Sequence, residues 1–123
     1  MKTIEADREV AKISYVDFEI EDHGIPTWHV TFEGDGWGQG LGTYCAEISF
    51  MCRLMGAVGV YAMKDLKGKS VWITHTHDSI LKVEPLYKKD GKPFVIEDWK
   101  KWVNERVAPM KISPHEYVTG KRP

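Results

Sequence analysis

The 123-residue chain has only two cysteines, no excess of either charge and no long apolar run. Each shortage excludes a class of protein. Two cysteines cannot build the disulfide framework of a small secreted domain. Cys45 and Cys52 stand seven apart in what reads as a helix, about 10.5 Å of helical rise and too far to bridge. The expectation is two buried structural thiols in a reducing compartment. With 17 basic against 18 acidic residues the formal net charge is −1, and no Lys/Arg-rich run argues for nucleic-acid binding by counterion release. No apolar stretch reaches the roughly 18 residues needed to cross a bilayer. The first twenty residues, MKTIEADREVAKISYVDFEI, are charged throughout and lack the apolar core of a signal peptide.

What is present is the composition of an ordinary globular protein, 42% hydrophobic and 28% charged. One core is within reach at this length, whereas two domains with a cleft between them are not. The reading is a single domain over residues 1–108 and an irregular C-terminal tail over 109–123. Charge is uneven along the chain: residues 1–36 hold three basic and nine acidic side chains, residues 82–123 ten and six. That pattern describes two solvated faces of opposite sign.

Hydropathy periods assign the elements. Ile13, Tyr15, Val16, Phe18 and Ile20, then Asp22-His23-Gly24, then Trp28, Val30 and Phe32 at period two, predict a β-hairpin with one buried face. Gly34-Asp35-Gly36-Trp37-Gly38-Gln39-Gly40-Leu41-Gly42 puts glycine at every second position and reads as a loop. Thr43 is placed to cap a central helix whose stripe is Ile48, Met51, Cys52, Met55 and Val58, with stop signals at Gly56 and Gly59. Ser70–Thr76 and Ile80–Tyr87 predict a second hairpin, and Ile96–Val107 a last helix before Pro109. The fold class expected is α+β, an antiparallel sheet built from two β-hairpins and packed by a central and a C-terminal helix.

Three features could carry chemistry. The glycine segment leads into a helix start, where free N–H groups favour an anion. It matches neither G-x-G-x-x-G in a βαβ unit nor a P-loop, so a phosphate cradle, a structural loop and a recognition loop displaying Asp35, Trp37 and Gln39 stay open. His75 and His77, at i and i+2, would share one face of a strand as a metal pair requires, yet the H-x-H-x-D-H hydrolase signature fails at Asp78-Ser79. Trp99 and Trp102 stand a turn apart, either sealing the helix on the sheet or, beside Lys100, Lys101 and Arg106, stacking on a base. Neither a G-x-S-x-G elbow nor a serine with a neighbouring base supports nucleophilic catalysis.

Glu21-Asp22-His23-Gly24-Ile25, the run Gly34 to Tyr44, Val58-Gly59-Val60 and Leu66-Lys67-Gly68-Lys69 resemble a family of small uncharacterised bacteriophage and prophage proteins. In that family an E-D-H-G turn precedes a glycine-alternating G-x-G-Q-G loop, a helix and an L-x-G-K strand start. The likeness spans about residues 15–75; Thr43 replaces the loop's last glycine, and the C-terminal third has no counterpart. It implies an accessory protein made in the bacterial host cytoplasm during infection. The function expected is a non-catalytic binding module on a host or phage macromolecule, a counter-defence inhibitor being one version. Its binding residues are Asp35, Trp37, Gly38, Gln39, Gly40 and Tyr44, with His23 as neighbour; no catalytic residue, metal or cofactor is assigned. The alternative is a small-ligand, nucleotide or metal-binding protein, a phosphodiester-processing enzyme using the glycine loop or His75 and His77.

Overall fold

Period-two alternation produces the longest element, β1 (Asp7–Ile20), and its hairpin partner β2 (Pro26–Gly34). The structure, a computed structural model, describes residues 6–20, 24–43 and 47–106. Over these residues the chain continues through β3 (Trp37–Gly42), α1 (Ile48–Val58), β4 (Ser70–His75), β5 (Ile80–Pro85), β6 (Phe94–Val95) and α2 (Ile96–Arg106). The strands join in the order β3-β2-β1-β4-β5-β6, every neighbour antiparallel. This is the expected α+β fold: the hairpins β1–β2 and β4–β5, each widened by a third strand, with a central and a C-terminal helix. Among the described residues no helix is long and apolar enough to cross a membrane. The tail expected at 109–123 lies outside the described residues.

β1 serves two neighbours with two halves. Asp7 to Lys12 pair with β4, and Lys12 to Ile20 pair with β2. Between the halves Ser14 has no partner across the ladder, a bulge whose hydroxyl donates to the Thr31 carbonyl at 3.3 Å. One extra residue switches the parity of the strand and bends it. Ala11 and Ile13 face the core before the bulge, and Val16 packs there after it. The bend curls the sheet. In a flat sheet β3 and β4 would lie three strand spacings apart, about 14 Å; here the Trp37 and His75 rings from these strands stack with centroids 4.2 Å apart.

The concave face carries the core. Trp28, Val30 and Phe32 point into it as their alternation predicts, joined by Leu41, Val71, Ile73 and Val83. α1 covers it with Phe50, Met51, Leu54 and Ala57, and α2 with Ile96, Trp99 and Val103. The α1 stripe is therefore rotated from the expected one: Ile48 is 61% exposed, and Cys52 is exposed as well, not a buried thiol. Cys45 lies outside the described residues. Helical spacing alone fits two adjacent stripes on so apolar a helix, and it is the aromatic contact of Phe50 with Phe94 and Trp99, at 5.4 and 5.2 Å, that goes with the chosen one.

The helix also starts later than Thr43. Glu47 is the N-cap, its carboxylate accepting from the Ser49 N–H at 2.8 Å. Thr43 is buried instead, where its hydroxyl oxygen accepts from the Trp28 N–H at 3.2 Å. At the other end Gly59 takes φ 88°, and its N–H donates to the Met55 carbonyl at 2.8 Å. The N-terminal cap ties three elements together. The Trp28 indole donates to the Glu47 carbonyl at 3.0 Å, the Trp99 indole donates to Ser49 Oγ at 2.8 Å, and the Ser49 hydroxyl donates to the Glu47 carboxylate. Ser49→Ala would leave the Trp99 N–H buried without an acceptor and loosen the cap, at about 1–3 kcal/mol. Chemical denaturation is expected to show that loss, with Ser49→Thr retaining most of the stability.

Candidate functional site

The glycine run is the place where local reading and structure part. Gly34 to Gly42 is not a loop: Asp35-Gly36 is a two-residue hairpin turn, with Gly36 at φ 76°, and residues 37–42 form β3 against β2 in unbroken register. Asp-Gly between alternating residues is a strong hairpin signal. Beyond the turn Trp37, Gln39 and Leu41 take the concave face, and Gly38, Gly40 and Gly42 take the convex one. None of these three glycines has a positive φ, so what they provide is an absent side chain, not an unusual backbone. They form an exposed stripe without side chains opposite Glu33, Thr31 and His29, and at Gly40 the His29 ring lies 3.2 Å from where a Cβ would sit. At Gly34 the absence has a packing reason, because a Cβ there would run into the Trp37 indole. At Gly38 the nearest atoms to a Cβ would be 3.8 Å away, an ordinary contact.

Trp37 and Gln39 thus turn inward and meet residues that spacing along the chain did not connect with them. His75, the last residue of β4 and 9% exposed, has Nδ1 3.0 Å from Gln39 Oε1 and Nε2 2.7 Å from Glu9 Oε2. The Trp37 indole stacks on its ring at an interplanar angle of 21°. Both ring nitrogens are engaged, so a metal or a general-base role would first have to break one of these bonds. Glu9 and His75 were not candidates together. A signal existed, however, since Glu9-Ala11-Ile13 and Val71-Ile73-His75 both continue a core face at period two.

His77 does not join His75. It is exposed in the turn after β4, where the Thr76 hydroxyl oxygen accepts from the Asp78 and Ser79 N–H groups at 3.3 and 3.1 Å. Among the described residues no group of three His, Cys, Asp or Glu side chains is arranged to hold a metal ion. His23 and Tyr44 lie outside the described residues. Asp35 is exposed at the tip of the β2–β3 hairpin. Trp99 is buried in the core; Trp102 is partly buried, with the Arg53 and Arg106 guanidinium carbons 5.7 and 4.8 Å from its ring centroid.

Compared with family models, with curated proteins and with solved structures, the chain finds no match. The geometry of its own surface is then what bears on function.

The convex face beside the glycine stripe is polar and acidic. Tyr15 donates its hydroxyl to Asp17 at 2.9 Å and reaches Glu19 at 3.4 Å, and the His29 ring meets Tyr15 edge-on and approaches Glu19 at 3.5 Å. Across β1 and β4 the same face carries Arg8, stacked over Trp72 at 4.1 Å and paired with Glu84 at 3.2 Å. The hydrogen bond to Asp17, then desolvation and the charges of Asp17 and Glu19, push the Tyr15 phenol up to about 12 from 10.0.

Gly38→Thr is expected to raise Tm by a few degrees, because a β-branched residue in an open strand position recovers about 0.5–1 kcal/mol of the entropy that glycine loses. Gly34→Ala is expected to lower it by displacing Trp37, and calorimetry of both variants checks the contrast. In a carbon-13 titration Tyr15 is expected to ionise near 12 and Asp17→Asn to bring it back toward 10. Because the folded value is the higher one, the stability linked to this proton is present below pH 10 and lost between 10 and about 12. Ionisation of Tyr15 near 10 in the wild type would contradict the hydrogen bond to Asp17.

Proposed function

We propose that the protein is a small phage accessory protein that works as a non-catalytic binding module in the host cytoplasm, docking on a host or phage protein through the β2–β3 hairpin. The observation that carries this reading is the exposed, uncharged and bare β3 beside a hairpin tip that presents Asp35. Stability alone does not call for Gly38, where a side chain has room, and an unneeded glycine on an exposed strand points to close approach of another chain. Trp37, Gln39 and His75 support the reading from beneath. Their stacked and hydrogen-bonded cluster holds the hairpin against the sheet, which lowers the entropy lost on docking. The engaged nitrogens of His75 and the separation of His77 leave the metal and phosphodiester alternative without a specific supporting observation.

A photo-crosslinking amino acid in place of Asp35, with the protein expressed in the bacterial host during infection, tests the assignment. The expected outcome is a discrete protein adduct from position 35 and none from the same substitution at Lys101 on the exposed face of α2. Adducts from position 101 alone would move the docking face away from the hairpin. Absence of adducts at both, from a variant that folds, would count against a binding module.

A further inference from the structure

The backbone of β3 points to how a partner is held. Thr43 N–H donates to the Trp28 carbonyl at 3.2 Å, just past the end of the β2–β3 ladder. In an antiparallel pair bonded and non-bonded positions alternate, and the register here has no shift. The pairs Val30–Leu41, Phe32–Gln39 and Gly34–Trp37 are therefore the bonded ones. The N–H and C=O groups of Gly38, Gly40 and Gly42 turn the other way, toward the open edge of the sheet. All three residues are exposed, which for glycine means that the backbone itself is exposed.

Natural sheets guard such edges with short strands, charges, proline or bulges. The opposite edge is guarded: β6 has two residues and runs straight into α2. The stretches of β1 that have a neighbour on one side only carry Asp7, Arg8 and Glu9 in one half, and Asp17 and Glu19 in the other. Asp17 even caps the adjacent Phe18 N–H at 2.8 Å. β3, in contrast, is six residues long and has no charge, no proline and no bulge.

We infer that this edge is completed by a strand from the partner, an extended segment rich in lysine or arginine with aromatic or β-branched residues at alternate positions. The inference rests on the binding-module reading above and names its partner class. Strand addition gives affinity through main-chain bonds and specificity through alternate side chains. The glycine stripe selects the side chains: a large group on the added strand lies over Gly38 and against the His29 ring beside Gly40, as aromatic neighbours cover glycines on sheet edges. The surroundings select the charge. Glu33 and Asp35 stand on the convex side of this hairpin and Asp17 and Glu19 on the same face of the adjoining β1, against one lysine, Lys12, opposite Glu33. A second copy of β3 is a poorer occupant, since it would set glycine against glycine with no cross-strand pair on that face.

The test uses the full chain labelled with nitrogen-15 and two synthetic peptides of about nine residues, one alternating lysine with tyrosine and valine, the other with glutamate replacing lysine. The lysine peptide is expected to slow amide exchange at Gly38 and Gly40 by about tenfold or more, while Gln39 and Leu41, already bonded to β2, change little. The glutamate peptide is expected to bind at least about tenfold more weakly. Gly38→Pro, which removes an edge donor without breaking a ladder bond, is expected to abolish the protection. Gly38→Thr keeps the donor, fills the stripe and is expected to weaken binding about tenfold, a readout independent of whether the proline variant folds; unchanged binding of Gly38→Thr would overturn the role of the stripe. Equal binding of both peptides would overturn the partner's charge while leaving the binding module intact. Binding of neither, with position 35 still crosslinking to a protein, would overturn strand addition alone. Concentration-dependent protection of Gly38 without peptide would assign the edge to a second copy and overturn the inference.

Discussion

Every other part of the sheet hangs on the two-sided use of β1. One strand of fourteen residues is hydrogen-bonded to β4 along its first half and to β2 along its second, with the Ser14 bulge between. A flat strand cannot do this and also enclose a core, because its inward face would stay on one parity and its neighbours would lie side by side. The bulge adds one residue, changes the parity and bends the strand. The β2–β3 hairpin is thereby swung over the concave face until Trp37 reaches His75, two intervening strands away in the sheet order. Core and hairpin placement share one cause.

The helices are fixed to this curled sheet by a small polar joint as much as by apolar packing. The indoles of Trp28 and Trp99 both end their buried donors on the α1 N-terminus, on the Glu47 carbonyl and on Ser49. A free helix N-terminus needs acceptors for its N–H groups, and large aromatic side chains need acceptors for theirs. Here one residue pair, Glu47 and Ser49, meets both needs. The arrangement also explains why Trp99 is not available for stacking on a ligand, whereas Trp102, one turn on, keeps a partly open face between two arginines.

Much of the fold was legible because its signals are local. Trp28-Val30-Phe32 declares a one-sided strand, Gly59 a helix end, and Ile96 to Arg106 a helix with acidic residues in its first turn. The glycine run reads locally as a loop because its glycine frequency masks its period. Asp35-Gly36 is a turn and the residues after it alternate, but three of the alternating positions have no side chain to show polarity. The candidate site was legible only in its location. Which way Trp37 and Gln39 face depends on where a two-residue turn ends, and a one-residue difference exchanges the faces. Their partner His75 stands 36 positions from Gln39 in the chain, and Glu9, which holds the other side of the His75 ring, stands 66 positions from His75.

The amino-acid sequence by itself determined the two hairpins and the two helices, the antiparallel α+β class and the absence, at Gly38, Gly40 and Gly42, of any side chain on one face of a segment. Those are properties of short windows, set by side-chain period, turn chemistry and caps. Tertiary structure alone decided that this segment is an edge strand, that its bare face is the convex one, and that its tryptophan and glutamine are spent on His75 beneath. These depend on pairing between strands far apart in the chain and on the bend at Ser14. No local propensity encodes them, because backbone hydrogen bonds pair any residues alike, and the register is chosen by burying the whole core at once.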